Sequence, residues 1–489
     1  RQDSRVHQEV IDEIVAKKSG LNSETITIEE KLNWLLKTDL ILDPNDFEGI
    51  TKDTLQNVYN VKSMQQKNGE RGLNRYIISN SESIKDVLNV FALFRLCGYR
   101  EEEINMDIVP LFETMEGLDR AQNVMKELYE MPVYKKHLAH RKDIQTIMLG
   151  FSDGTKDGGY LKANWEIYET KEQLTKVSDD HHIKVVFFDG RGGPPARGGG
   201  KTHDFYASQG KTIANHQIEL TVQGQTITSV FGNKDQAKYN FEQLLTAGIE
   251  NDVFKNAKKD LTENERNLIE ELAELSYKKY SDLKAHPRFV PYLQEMSTLE
   301  YYGKTNIGSR PTKRGAGNEL KFEDLRAIPF VGSWSQLKQN VPGFFGFGHA
   351  LQELKNQGRF EEVKNLYKGS DFFKTLVLNS MMSMNKSYFP LTSYMKKNEK
   401  FGEFWTILSD EYNLSKQLML ELTGSKELME EEPLSRMSVK IRERIVLPLL
   451  SIQQYGLIKI QKEEGNRAAY EKLVMRSLFG NINASRNSA

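Results

Sequence analysis

Residues 183–203 read IKVVFFDGRGGPPARGGGKTH. The run Ile183 to Phe188 is short and apolar, and it ends at Asp189-Gly190. A run of this length between helical patterns suits a parallel strand buried on both faces. The loop behind it, Gly190 to His203, packs six glycines, two arginines and a lysine. Glycine lets the backbone approach a ligand closely, and arginine grips phosphate or carboxylate with a two-pronged fork. In barrels of alternating strands and helices, the chemistry sits at the C-terminal ends of the strands. The loop therefore reads as a moving anion-binding element. Two other readings compete with this one, a flexible surface linker and an RGG-type RNA contact. The buried strand ahead of the loop weighs against both.

Outward from this stretch, three more apolar runs have the same character. Ile108-Val109-Pro110-Leu111-Phe112 ends at Glu113, Ile144 to Phe151 ends at Ser152-Asp153-Gly154, and Ala327 to Val331 follows Arg326. Most of the remaining sequence reads as helix. In 262–283, Thr262 and Glu265 fit a capping box, with Leu268, Leu272 and Leu275 at helical spacing behind them. Residues 350–368, 413–430 and 436–461 read similarly. Ile218 to Phe231 alternates around Gln223-Gly224 and reads as a hairpin. The fold class is α/β, predominantly helical, with buried parallel strands.

Residues 151–159, FSDGTKDGG, read as a second strand-to-helix loop. Asp153 there and Glu113 both stand at strand ends, where carboxylates can hold Mg²⁺ while water and substrate complete its shell. Asp-Gly is equally an ordinary turn, and spacing alone does not join the two acids. The segment NIGSRPTKR, Asn306 to Arg314, with Arg326 beyond it, offers more cations near a strand, or a solvated basic loop.

With 489 residues there is room for two or three domains, or for one large barrel with insertions. The 67 Lys and Arg nearly balance 68 Asp and Glu, which argues against a general nucleic-acid binder and leaves room for a local basic patch. Cys97 is the single cysteine, so no intrachain disulfide forms, which fits a reducing, cytoplasmic setting. No run approaches the ~20 apolar residues needed to span a bilayer. The histidines form no metal-binding cluster, and neither a G-x-S-x-G elbow nor a phosphate-binding GKT/GKS loop is present.

The segments IMLGFSDGTKDGG, FFDGRGGPPARGGGKTH, ELTVQGQTITSVFG, NIGSRPTKR and LRAIPF occur in one order. Together they resemble phosphoenolpyruvate carboxylases, as do the opening RQDSRVH and the closing Arg486-Asn487-Ser488-Ala489. The resemblance runs from Arg1 to Ala489. It implies the C-terminal half of an enzyme that forms oxaloacetate and phosphate from phosphoenolpyruvate and bicarbonate. It also implies a partial (β/α)8 barrel with many extra helices. Residues 1–340 would hold the barrel strands, active-site loops and inserted helices, and residues 341–489 an all-helical region.

By position, Glu113 and Asp153 match the carboxylates that hold Mg²⁺ or Mn²⁺ in the family. Arg1, Arg191 and Arg326 match arginines around the substrate phosphate, with Arg310 near the same pocket. Lys156 and Arg197 match cations on the bicarbonate side. Lys386, Arg442 and Asn487, together with Arg197, match the site at which many members bind the inhibitor aspartate. A cytoplasmic homotetramer is implied for a full-length chain. A TAHPT strand with its catalytic histidine has no counterpart here, so this chain alone is expected to be inactive. A non-catalytic regulatory half working with a partner chain is the alternative. Asp189 departs from the family's histidine. Pro194-Pro195-Ala196 replaces small flexible residues, and proline is expected to stiffen the loop there.

Overall fold

The computed structural model describes residues 1–21, 27–222, 224–254, 260–304 and 320–485. Six strands form one sheet: β1 Gln2–Asp3, β2 Arg75–Ser79, β3 Asp107–Phe112, β4 Ile144–Leu149, β5 Lys184–Asp189 and β6 Ile218–Leu220. They pair side by side in sequence order, and every pair is parallel. Parallel neighbours need crossover connections, usually helical. Here the crossovers include α1 Ser4–Lys18, α2 Ile84–Leu96, α3 Met115–Glu130, α4 Phe151–Gly158 and α5 Tyr160–Asp180.

The chain divides into two compact units. The first holds Arg1–Gly150, Glu166–Asp189 and Thr212–Leu220, and so contains the whole sheet. On one face of the sheet, Val109, Leu111 and Met148 form a buried cluster with Ile77 and Phe188 packed against it. On the other face Ile108, Phe112, Ile147, Leu149, Val185 and Phe187 are buried as well. Burial on both faces explains why β3, β4 and β5 stand out in the sequence as largely apolar runs. β1 and β2 do not stand out. β1 has two residues, and Arg75-Tyr76 opens β2 with polar groups. His7 ties these two strands together: its Nε2 lies 3.0 Å from Tyr76 Oη and 3.1 Å from Gln2 Oε1. Burial pushes the imidazole down to about 4, so it serves as a neutral structural group.

One ion pair reports the curvature of the sheet. Arg75 on β2 pairs with Glu219 on β6. At ~4.8 Å per strand, four spacings would separate them by roughly 19 Å in a flat sheet, beyond the joint reach of the two side chains. The sheet therefore curls until β6 comes round to face β2.

The second unit holds Phe151–Trp165, Gly190–Lys211 and Thr221–Ala489. Its helices include α4 and the start of α5, then α6 Lys234–Val253, α7 Glu263–Ala285, α8 Ala327–Gln336 and α9 Phe347–Asn356. These are followed by α10 Phe360–Gly369, α11 Asp371–Asn385, α12 Gly402–Thr423, α13 Pro433–Gln461 and α14 Arg467–Ser485. The Thr262–Glu265 capping box opens α7 as expected. Gly358, at φ 75°, divides the 350–368 pattern into α9 and α10. Gly424, left-handed at φ 72°, ends α12 short of residue 430. No helix among the described residues is long and apolar enough to cross a membrane.

Three local expectations fail. Ala327 to Val331 is the start of α8, not a strand. A short apolar run cannot distinguish a strand from a buried helical turn, and Pro329 is tolerated in the first turn because its missing N–H has no partner there anyway. In the expected hairpin, only Ile218–Leu220 is extended, where it joins β5 in parallel, and Gly224–Phe231 is helical. Residues 151–158 form α4 directly after β4, so the expected loop is a helix and Phe151 lies outside the strand.

Candidate active site and anion pocket

Glu113 directly follows β3, and strand alternation puts it on the same face as Val109 and Leu111. It is 2% exposed. The Asn80 amide donates to Glu113 Oε1 at 3.0 Å, and Arg1 Nη2 donates to Oε2 at 3.1 Å. Two of the residues singled out in the sequence, Arg1 and Glu113, therefore meet within the first unit. Gly150 makes room for them. A Cβ at that position would lie 2.3 Å from Glu113 Cβ and 2.9 Å from its Cα, so no other residue fits without a shift.

Asp189 lies on the opposite parity of β5 from Phe188, so it faces away from the side Glu113 occupies. It is fully buried and sits 2.9 Å from the ammonium of Lys171 on α5, which is 2% exposed. The residue that replaces the family's histidine is thus half of a buried ion pair on the helix side of the sheet.

In the second unit the glycine-arginine loop is well formed. Pro195–Arg197 makes a single 3₁₀ turn, and the amides of Arg197 and Gly199 both donate to Pro194 O, at 2.9 and 2.8 Å. A Cβ on Gly199 would stand 1.9 Å from the Gly193 carbonyl oxygen, so the turn closes only around glycine. Arg197 is 7% exposed and donates from Nε to Ser152 Oγ at 3.2 Å. Burial pushes its guanidinium down to about 10, against the pull of the Asp153 carboxylate. Arg191 donates from Nε to Gly198 O at 2.5 Å and stacks 3.8 Å from the centre of the Phe205 ring. Its Nη2 is buried with no hydrogen-bond partner among the described residues.

Asp153 lies in the first turn of α4. Lys156, on the same helix, donates to Phe322 O at 3.3 Å and lies 4.3 Å from the centre of that ring. Arg326 is the N-cap of α8. Arg310 and Asn487 lie outside the described residues.

A small cleft opens between α8, α11, α13 and α14, lined by Lys338, Lys386, Arg442, Glu443, Gln336 and Asn481 among others. Lys386 caps the end of α11 and Arg442 projects from α13, and the two come together here. Burial pushes the Lys386 ammonium down to about 8, and Lys338 and Arg442 add to the effect. Lys338, itself lowered by burial, pairs with Glu443. Arg442 Nη1 donates to the carbonyl of Ser485, at the end of α14, at 3.4 Å. Arg197 is not among the lining residues. Lys338, Glu443 and Gln336 escaped the sequence reading because nothing in their local spacing points toward Lys386.

These features define a parallel α/β protein that presents buried guanidinium groups on a glycine-rich turn and gathers a second set of cations among its C-terminal helices. The sequence model of the phosphoenolpyruvate carboxylase family matches residues 1–485. The phosphoenolpyruvate carboxylases of Nitrosomonas eutropha and Corynebacterium efficiens are each 31% identical to this chain over 510 residues. That of Corynebacterium glutamicum is 31% identical over 512. Each alignment covers 100% of this chain but only 54–55% of the relative. The chain belongs to the phosphoenolpyruvate carboxylase family and spans about half the length of the curated relatives it matches.

Proposed function

We propose that this chain supplies the anion- and metal-binding face of a phosphoenolpyruvate carboxylase and is inactive by itself. The enzyme would join bicarbonate to phosphoenolpyruvate to give oxaloacetate and phosphate. Arg191 is the observation that carries this reading. Leaving a buried donor unsatisfied costs about 1–3 kcal/mol, and more when it is charged. An anionic ligand on the buried Nη2 removes that cost. The curled sheet supports the reading of a partial (β/α)8 barrel, since Arg75 and Glu219 meet across it.

In this reading Arg1, Arg191, Arg310 and Arg326 surround the substrate phosphate, with Lys156 and Arg197 on the bicarbonate side. A bicarbonate oxygen attacks phosphorus, giving carboxyphosphate and the enolate of pyruvate. Carboxyphosphate splits into CO₂ and phosphate, and the enolate carbon attacks that CO₂. Arg191 and Arg197 neutralise the charge on the transferring phosphoryl group, while the turn that carries them keeps water from the enolate. The donor set fits Mg²⁺ or Mn²⁺: Glu113 and Asp153 are hard oxygen ligands, and Glu113 is held in place by an amide and a guanidinium. Bound there, the ion would act as a Lewis acid toward phosphate and enolate oxygens.

The cleft at Lys386 and Arg442 is the inhibitory aspartate site in this reading, completed by Asn487 and coupled to Arg197. Two half-buried cations suit a dicarboxylate. The intact enzyme is a cytoplasmic homotetramer. The test is titration of the 489-residue chain with phosphoenolpyruvate and Mg²⁺, followed by calorimetry, with pyruvate as the control lacking phosphate. Binding that is lost in Arg191→Ala supports the reading. Absence of binding, or equal binding by the variant, overturns it.

A further inference from the structure

Lys156 is 6% exposed and stands in the last turn of α4. The last carbonyls of a helix have no partner within it, and two of them are met here from α7. Tyr280 donates from its hydroxyl to Lys156 O at 3.0 Å. The Lys284 ammonium donates to Asp157 O and, at 3.2 Å, to Asp157 Oδ1. A cation at that position also suits the negative end of the helix dipole. Gly159, at φ 76°, folds the chain over Tyr280, since a Cβ on it would lie 3.1 Å from the ring.

The other end of the lysine is held as well. Its ammonium meets both the carbonyl and the ring of Phe322, and the Lys284 ammonium lies 5.3 Å from the centre of the same ring. Phe322 opens a short 3₁₀ turn, Phe322–Asp324. Its ring is fixed in turn against the buried Phe289 and Phe330, with centres 5.7 and 5.8 Å away. A lysine stem is long and flexible, so its charge stands at one point only where something fixes both ends. We propose that Tyr280, Lys284 and Phe322 are positioning residues for Lys156: the first two fix its backbone, and Phe322 fixes its ammonium. This deepens the proposed function and rests on its placing of Lys156 on the bicarbonate side. A carbonyl and a ring face hold an ammonium without cancelling its charge, so these contacts leave it able to attract an anion.

The experiment is competitive acetylation of the 489-residue chain with acetic anhydride, in the presence of phosphoenolpyruvate and Mg²⁺, read lysine by lysine by mass spectrometry. Lys162 is the internal reference. It is 7% exposed, lies in the same unit and pairs with Glu270 and Glu274. Phe322→Leu fills the space without a π face and should acetylate Lys156 about tenfold faster relative to Lys162. Phe322→Tyr keeps the face and should restore the wild-type ratio. Tyr280→Phe and Lys284→Met, which each remove a donor from the end of α4, should raise the ratio about threefold. A purely structural role would expose Lys156 and Lys162 together. That result, or a Phe322→Leu ratio equal to wild type, overturns the proposal. Bicarbonate tests the underlying reading separately. It should slow acetylation of Lys156 in the wild type and not in Phe322→Leu. A wild type indifferent to bicarbonate overturns the placing of Lys156 on the bicarbonate side and leaves the positioning of its ammonium standing.

Discussion

Replacing Lys171 by Met takes the ammonium from a carboxylate that has no access to water. Asp189 is fully buried, Lys171 is 2% exposed, and the two groups stand 2.9 Å apart. Breaking a buried pair from one side costs roughly 3–5 kcal/mol, because the remaining charge keeps its desolvation penalty and loses its partner. Replacing both partners by apolar groups of similar volume is often neutral or better. Lys171→Met should therefore be far more damaging than Lys171→Met/Asp189→Leu. With a urea slope near 3 kcal/mol per molar, the single variant's unfolding midpoint should drop by roughly 1–1.7 M. The assay is urea unfolding followed by far-ultraviolet circular dichroism on wild type, both single variants and the double. A coupling energy near zero in that cycle, or a double variant as unstable as Lys171→Met, would refute the account of Asp189 as a structural anion.

Other outcomes follow from the same geometry. Aspartate binding to the cleft, measured by calorimetry, should weaken as pH rises through about 8: Lys386 loses its charge there, and a dianion favours the protonated ammonium. Arg442→Ala should weaken that binding about tenfold or more, through loss of a charged hydrogen-bond donor. Gly199→Ala should abolish phosphoenolpyruvate binding, because its Cβ would meet the Gly193 carbonyl oxygen at 1.9 Å and open the turn. Arg191→Lys should weaken phosphoenolpyruvate binding nearly as much as Arg191→Ala, since an ammonium can neither stack on Phe205 nor reach Gly198 O with the same planar fork.

The parts of this fold that show in the sequence are those with one dominant physical cause. β3, β4 and β5 are buried on both faces and leave largely apolar runs, and α7 opens with a capping box that two residues, Thr262 and Glu265, suffice to recognise. β2 stayed hidden because Arg75 on the inner face of the curled sheet pairs with Glu219, Tyr76 on the opposite face meets His7, and both break the apolar pattern. α8 misled because five apolar residues carry no period of their own. At the site, Arg191 and Arg197 were visible from the glycines around them. The meeting of Arg1 with Glu113, 112 positions apart, is a property of the fold. So is the joining of Lys338, Lys386 and Arg442 in one cleft, and no local spacing could announce either.

The pair that curls the sheet also sets a clock. Arg75 and Glu219 are 144 positions apart. At ribosomal speeds of about 5–20 residues per second, the arginine waits roughly 7–29 s for its partner to be made. During that interval β2 to β5 can assemble, but the β5 edge lacks β6 and presents unpaired N–H and C=O groups. The nascent protein therefore passes through a state that is sticky along one edge, and slowing translation between codons 189 and 218 would lengthen it. Aggregation during synthesis should respond to codon choice in that window much more than to changes near the C-terminus.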